Sequence, residues 1–200
     1  VSFTTAQINA LTLEGVTTEV IRRALERLAR EPAVAAAGAD AGRRIGPRAT
    51  ALLHHFEGCK LTAYKCPAGV WTIGWGNTFY EDGVPVAPGD TITQARADEL
   101  FRLIVVKFEA AVEKAAPSAP AHQFGAMVCL SYNIGVDAFG RSTVLRRHLA
   151  GDHAGAAEAF LMWNKSSGRV LRGLTRRRQA ERLLYLNQLP DLDRAIGYRP

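Results

Sequence analysis

A single carboxylate, Glu57, closes an apolar helical pattern and runs at once into a glycine- and tryptophan-rich stretch. The groups that can do chemistry here read Glu57, eight residues, Cys66, five residues, Thr72. A carboxyl at a helix end among aromatic residues is a candidate proton donor, because desolvation and the negative end of the helix dipole both disfavour its charged form. Cys66 offers a thiol and Thr72 a hydroxyl, groups that can hold or polarise a water molecule. A thiol of ordinary acidity is mostly protonated at neutral pH, so Cys66 is a weak base unless Lys65 and the basic run near the C-terminus favour its thiolate. Taken singly, the three also read as a solvated charge, a small buried cysteine and an ordinary strand threonine.

Local signals place the elements that hold these groups. Pro47 suits the first turn of a helix whose inner face is Ala49, Leu52, Leu53 and Phe56, and Gly58 stops it, leaving Glu57 in the last turn. Pro67-Ala68-Gly69 reads as a turn. Beyond it the chain alternates, with Val70, Thr72, Gly74 and Gly76 on one face and Trp71, Ile73 and Trp75 on the other. The pattern predicts that Thr72 faces a cleft while the large side chains pack away. Residues 80–90 read as a loop leading to Thr93, the cap of a long helix that reaches about Lys114 and is closed by Pro117 and Pro120. Further helical patterns lie at 123–132, 142–149, 153–163 and 175–186, and the arginine-rich run from Arg172 to Arg178 reads as a solvated face. Residues 1–45 read as a separate helical extension with helices near 5–13 and 19–32, either docked for structural reasons or serving as a wall-binding or regulatory module. Residues 191–200 carry no strong pattern and are expected to form a surface tail.

Of the 200 residues 48% are apolar, enough for one sizeable core and a small appendage. No apolar run approaches the roughly 18 residues that a bilayer span needs. The N-terminus lacks the basic-then-apolar order of a secretory signal. Twenty-five basic against 19 acidic residues give a net charge of +6, which draws the surface towards polyanions such as nucleic acid or an anionic wall. The cysteines Cys59, Cys66 and Cys129 cannot all pair internally and lack zinc spacing. A disulfide between Cys59 and Cys66, across a short bend, would consume the Cys66 thiol if their Cα atoms came within about 7 Å. Cys129 reads as core, and His54, His55, His122, His148 and His153, without ligand spacing, read as surface or structural residues.

Phe56-Glu57-Gly58, Ala63-Tyr64 and Thr72-Ile73-Gly74-Trp75-Gly76-Asn77-Thr78 frame the spacing described above. This segment resembles the active-site stretch of the phage-type lysozymes, glycoside hydrolase family 24, in which the three positions are Glu, Asp or Cys, and Thr. Further pieces match in family order: Ser131-Tyr132-Asn133-Ile134-Gly135, Ala138-Phe139, Ser142-Thr143-Val144-Leu145, Leu149-Ala150-Gly151-Asp152, Phe160, Trp163-Asn164 and Gly173-Leu174, followed by Arg177, Arg178 and Glu181. The resemblance covers residues 46–187.

The resemblance implies an α+β, lysozyme-like fold over residues 46–190, with a small β-hairpin lobe and a mostly helical lobe joined by a long helix, and the helical extension added at the N-terminus. It implies an inverting hydrolase that cuts the β-1,4 bond between N-acetylmuramic acid and N-acetylglucosamine, with Glu57 as acid and Cys66 and Thr72 on the attacking water. Arg177 is placed near the acid, and Tyr132, Asn133 and Gly135 along the far side of the sugar groove. No metal or cofactor is expected. The expected partner is peptidoglycan and not nucleic acid, met by a monomer without stable membrane insertion. Such a protein would be made in the host cytoplasm and act on the periplasmic wall, causing lysis. Two alternatives stay open: a lytic transglycosylase, which forms an anhydro-sugar without water, and a noncatalytic wall-binding protein, made conceivable by Cys66.

Overall fold

A computed structural model describes residues 42–66, 69–166 and 168–199. The helices expected within residues 1–41, and with them almost all of the N-terminal extension, lie outside the described residues. The described chain divides into two compact units, one of residues 57–106 and one of residues 43–56 with 107–199. Fold class agrees with the expectation: mostly helical, with two small two-stranded antiparallel sheets among the described residues.

Helix α1, Pro47–Glu57, starts on Pro47 and ends where Gly58 takes a positive φ of 68°, a conformation that favours glycine. Its entry is clamped. The buried Glu109 carboxylate accepts from the Ile45 amide at 2.8 Å and from Arg44 Nη1 at 2.9 Å. Farther along, Arg48 forks onto Asp193 at 2.9 and 3.2 Å. Together they fix the axial position of the helix that ends in Glu57.

In the first unit, strands β1, Lys60–Lys65, and β2, Trp71–Gly74, form an antiparallel hairpin with Tyr64 opposite Thr72 and Lys65 opposite Trp71. The strand expected from Val70 to Gly76 ends at Gly74, whose positive φ of 62° turns the chain, and within it both faces are covered: Thr72 and Ile73 are each 0% exposed. On the face expected to open on a cleft, the Gly74 position is hemmed in by Asn77, Ile92 and Ala97, each 3.4 to 3.5 Å from where a Cβ would stand. The chain doubles back there, Ile73 and Asn77 exchanging both backbone hydrogen bonds at 2.8 and 2.9 Å. Asp90 ties the following loop down by accepting from the Tyr80 hydroxyl and the Ala87 amide, both at 2.9 Å, while its carbonyl accepts from the Ala63 amide of β1. Helix α2, Gln94–Ala115, runs for 22 residues, roughly 33 Å at ~1.5 Å per residue, and is capped by Thr93, whose hydroxyl accepts from the Arg96 amide at 3.2 Å. Its residues up to 106 belong to the first unit and the rest to the second.

The second unit is built on α3, Ala121–Ile134, buried without interruption from Gln123 to Tyr132, as a helix apolar on all sides must be. Gly125 lets α1 close in, since a Cβ there would stand 3.0 Å from that of Ala49. Cys129 is core, as expected, its thiol 3.5 Å from the Ala49 carbonyl oxygen. Next come α4, Val136–Gly140, then α5, Thr143–Leu149, capped by Ser142, and α6, His153–Phe160, capped by Asp152. A short hairpin of β3, Lys165–Ser166, and β4, Arg169–Val170, leads into α7, Arg172–Tyr185, which packs on α3. The stretch 191–200, expected to be a patternless tail, begins inside α8, Leu189–Ile196. This helix has Pro190 in its first turn and buries Leu192 and Ile196, four apart on one face.

The histidines expected to be surface or structural include a coupled pair. His148 on α5 and His153 on α6 both direct Nδ1 at the hydroxyl of Tyr185 on α7, at 2.8 and 3.2 Å. Burial, and then Asp152, push the Tyr185 pKa up to about 12, so the phenol keeps its proton. Burial first, and the neighbouring His153 second, hold the His148 pKa below 6.5. The unfolded chain therefore takes up a proton before the folded one does, and stability falls as pH drops through about 6.5 towards the folded value. His122, also lowered by burial, acts in the same direction. The melting temperature should decrease from about pH 7.5 to about pH 5.5, with a shallower decrease in His148→Gln. Identical pH slopes in thermal melts of the two proteins would remove His148 from this effect.

Candidate active site

Glu57 is the last residue of α1, half-buried, and Gly58 turns the chain directly into the β1–β2 hairpin. Cys66 and Thr72 meet at a single backbone oxygen in that hairpin. The Cys66 amide donates to the Val70 carbonyl at 3.0 Å, and the Thr72 hydroxyl donates to the same oxygen at 3.1 Å. Because Thr72 lies opposite Tyr64, two residues before Cys66, the side chains of positions 64, 66 and 72 fall on one face of the hairpin. The opposite face carries Lys65, whose ammonium sits 5.5 Å from the centre of the Trp71 ring. Lys65 was expected to act on the Cys66 thiol, but strand alternation sends it to the other side.

Both Cys66 and Thr72 lie below the surface. Having given its proton to Val70, the Thr72 hydroxyl keeps its oxygen lone pairs for accepting.

The condition for a link between Cys59 and Cys66 is not met: all three cysteines are free thiols. Strand β1 lies between them, and seven residue steps at ~3.3 Å each, even shortened by a bulge, keep them far beyond disulfide reach. Burial raises the Cys59 pKa, opposed by a hydrogen bond from Gln94, so that thiol is poorly reactive. Trp75, in the turn that follows β2, is anchored by its indole N–H donating to Asp98 Oδ1 at 2.8 Å. Sequence reasoning missed Asp98. Its only local signal is its place in the first turns of α2, which says nothing about a partner in the turn after β2.

The other predicted site residues belong to the second unit. Arg177 is buried on α7, with its guanidinium 5.8 Å from the centre of the Phe56 ring, on the residue just before Glu57 in the chain. Its Nε donates to Glu181 Oε1 at 3.2 Å, and Arg178 Nη2 donates to the same oxygen at 2.7 Å. The arginine run is therefore not a solvated face throughout, since Arg177 and Arg178 point inwards onto a buried carboxylate. Glu181 was not assigned a role from sequence, although its spacing of three and four from the two arginines is the signal of a helical ion-pair cluster. Asn133 and Gly135 are half-buried at the end of α3, where Gly135 adopts a positive φ of 89°. Tyr132 departs from expectation. It is wholly buried, its ring centre 5.0 Å from that of Phe108, so it supports the core and does not offer its ring to a sugar. Among the described residues no group of three or more His, Cys, Asp and Glu is arranged to hold a metal ion.

Residues 54–181 match the family model for phage lysozyme. The endolysin of Acyrthosiphon pisum secondary endosymbiont phage 1 is 35% identical over 146 residues, covering 70% of this chain and 97% of that one. The endolysin of Salmonella phage P22 is 39% identical over 132 residues, with 66% of this chain and 90% of that one covered. Among solved structures, the endolysin from Escherichia coli O157:H7 phage FAHEc1 superposes with a TM-score of 0.68 at 37% identity, over 73% of this chain and 95% of that one. Glu57, Cys66, Thr72, Asn133, Gly135 and Arg177 all lie within the span matched by the family model.

Proposed function

The chain belongs to the phage lysozyme family, and from that premise we propose that it cuts the β-1,4 bond between N-acetylmuramic acid and N-acetylglucosamine in peptidoglycan, with Glu57 as the acid. It is a glycoside hydrolase, and its substrate is the cell wall. The observation that carries the site assignment is the convergence of Cys66 and Thr72 on the Val70 carbonyl, in a hairpin that starts one glycine-turned step from Glu57.

Glu57 gives its proton to the bridging oxygen as the bond from that oxygen to the anomeric carbon breaks, and the departing sugar leaves as a neutral alcohol. A water oxygen forms the new bond to the same carbon from the opposite face, and this inverts the configuration. Thr72 accepts one hydrogen bond from that water. Cys66 holds and polarises the same water, whose lost proton passes to solvent, and Glu57, left ionised, is reprotonated from solvent. Arg177 positions the end of α1 through Phe56, and Asn133 and Gly135 contact the acetamido sugar at the end of α3. The enzyme works as a monomer and without nucleic acid. It is made in the host cytoplasm and acts on the periplasmic wall. Among the described residues no helix is long and apolar enough to cross a membrane.

Digestion of purified wall in water enriched in the heavy oxygen isotope tests the reading. Hydrolysis releases reducing muramic acid ends that each carry one heavy oxygen, whereas anhydro ends would make the protein a transglycosylase. Wall binding without release would make it a noncatalytic binder. Cys66 is tested separately: Cys66→Asp should keep or raise the rate, because an ionised carboxylate is the better base, and Cys66→Ala should lower it roughly 10-fold or more. Equal rates for wild type and Cys66→Ala would take the thiol out of the reaction.

A further inference from the structure

The projecting segment between α6 and α7 combines two surface features that the catalytic reading does not use. Met162, Val170 and Leu171 are 64%, 58% and 42% exposed, three large apolar side chains within one short stretch of chain. Lys165, Arg169, Arg172 and Arg176, interleaved with them, are exposed as well. The hairpin pairing sets Lys165 directly across from Val170, so a cation and an apolar side chain stand side by side on one face. The amide of Leu171 donates to the Asn164 carbonyl at 2.9 Å, closing the base of the hairpin and presenting the segment as one unit.

The arginine-bearing surface falls into two sets, and the segment belongs with exposed Arg102, Arg141, Arg146 and Arg199, which meet no carboxylate among the described residues. Arg44, Arg48, Arg96, Arg147, Arg182 and Arg194 each meet a carboxylate. Among the described residues, the four cations of the segment meet none. Arg172 is also placed against the helix field: α7 has no acidic residue in its first turn, and a cation at a helix N-terminus faces the positive end of the dipole. Positions that work against local stability on three counts, exposed apolar surface, unneutralised charge and an opposed dipole, are where a partner of complementary chemistry is to be sought.

We propose that residues 162–166 and 168–176 dock the enzyme on an anionic phospholipid bilayer, the cations meeting lipid phosphates and Met162, Val170 and Leu171 entering the boundary between headgroups and acyl chains. The wall polymer offers carboxylates for the cations but little apolar volume for three large side chains, whereas a bilayer surface supplies both. The docking is peripheral, since the segment is far too short to span a membrane. It holds the enzyme at the surface beside which the wall lies without occupying the catalytic groups.

Vesicle sedimentation of the full chain is the test, with phosphatidylglycerol–phosphatidylcholine vesicles against pure phosphatidylcholine. Wild type should sediment with the anionic vesicles, less so as salt rises, and not with the neutral ones. Exchanging two cations, Arg169→Gln with Arg172→Gln, should weaken binding roughly 30-fold. Val170→Ser with Leu171→Ser should weaken it roughly 10-fold. All these side chains are exposed, so the variants should melt with wild type and digest purified wall at the wild-type rate. Equal sedimentation with both vesicle types, or undiminished binding by both double variants, would overturn the proposal. Loss of binding to purified wall with vesicle binding intact would assign the segment to the wall and overturn it too. Vesicles contain no peptidoglycan, so these outcomes do not depend on the catalytic assignment.

Discussion

Glu181→Ala should destabilise the helical unit by about 3–5 kcal/mol, the range expected when one partner of a buried ion cluster is removed. Glu181 and Arg178 are 0% exposed and Arg177 is 4% exposed, and one carboxylate oxygen receives both arginines, at 2.7 and 3.2 Å. Taking that carboxylate away leaves two buried guanidinium charges without the oxygen they share. Neither can reach bulk water without moving α7 away from α3, and that would expose the central core. In a protein of this size such a loss corresponds to a fall in Tm of roughly 6 to 20 °C. Glu181→Gln keeps the volume and an acceptor oxygen but not the charge, and should lie between alanine and wild type. Urea unfolding of the three proteins checks the order through a shift of midpoint at constant slope. A loss below about 1 kcal/mol for alanine would mean that the cluster is far better solvated than its burial implies. Arg177 also reaches the Phe56 ring, so the same substitution should lower activity beyond what the fall in stability explains.

The elements legible in the sequence are those with local punctuation. Pro47 and Gly58 bound α1, Thr93, Ser142 and Asp152 cap α2, α5 and α6, and each works through bonds within four residues of itself. Alternation over Trp71–Gly74 was legible and is also local, whereas the register against β1 was not. What alternation does not carry is whether a face is covered. Thr72 is 0% exposed, and two positions on, at Gly74, the chain doubles back and the Asn77, Ile92 and Ala97 side chains close in. Burial of Arg177 and Arg178 was hidden for the same reason: a run of arginines looks solvated until a distant helix packs over it. Tyr132 shows the converse, since its place in a motif suggested a sugar contact while the packing of α3 enclosed it. Strands β3 and β4 are two residues each, too short to alternate. Helix α8 was missed although proline in a first turn, here Pro190, begins a helix, and Leu192, Ile196 and Gly197 complete its pattern. For the candidate site, the residue types and their spacing were readable, and the shared Val70 carbonyl was not. That contact depends on the hairpin register and on the direction in which a hydroxyl donates.

Glu57→Gln keeps the shape and the hydrogen-bonding reach of the side chain and removes only its capacity to deliver a proton. Glu57 is half-buried at a helix end, so this exchange should leave the melting temperature close to that of wild type. Without a proton the departing sugar must leave as an alkoxide, and a general acid in that role contributes roughly 100-fold to 10,000-fold in rate. The measurement is the initial rate at which soluble muropeptides appear from purified peptidoglycan, taken for wild type and Glu57→Gln with matched thermal melts. A fall of about 100-fold or more is predicted. Release at the wild-type rate from a folded Glu57→Gln protein would mean that another group supplies the proton and that Glu57 is not the acid.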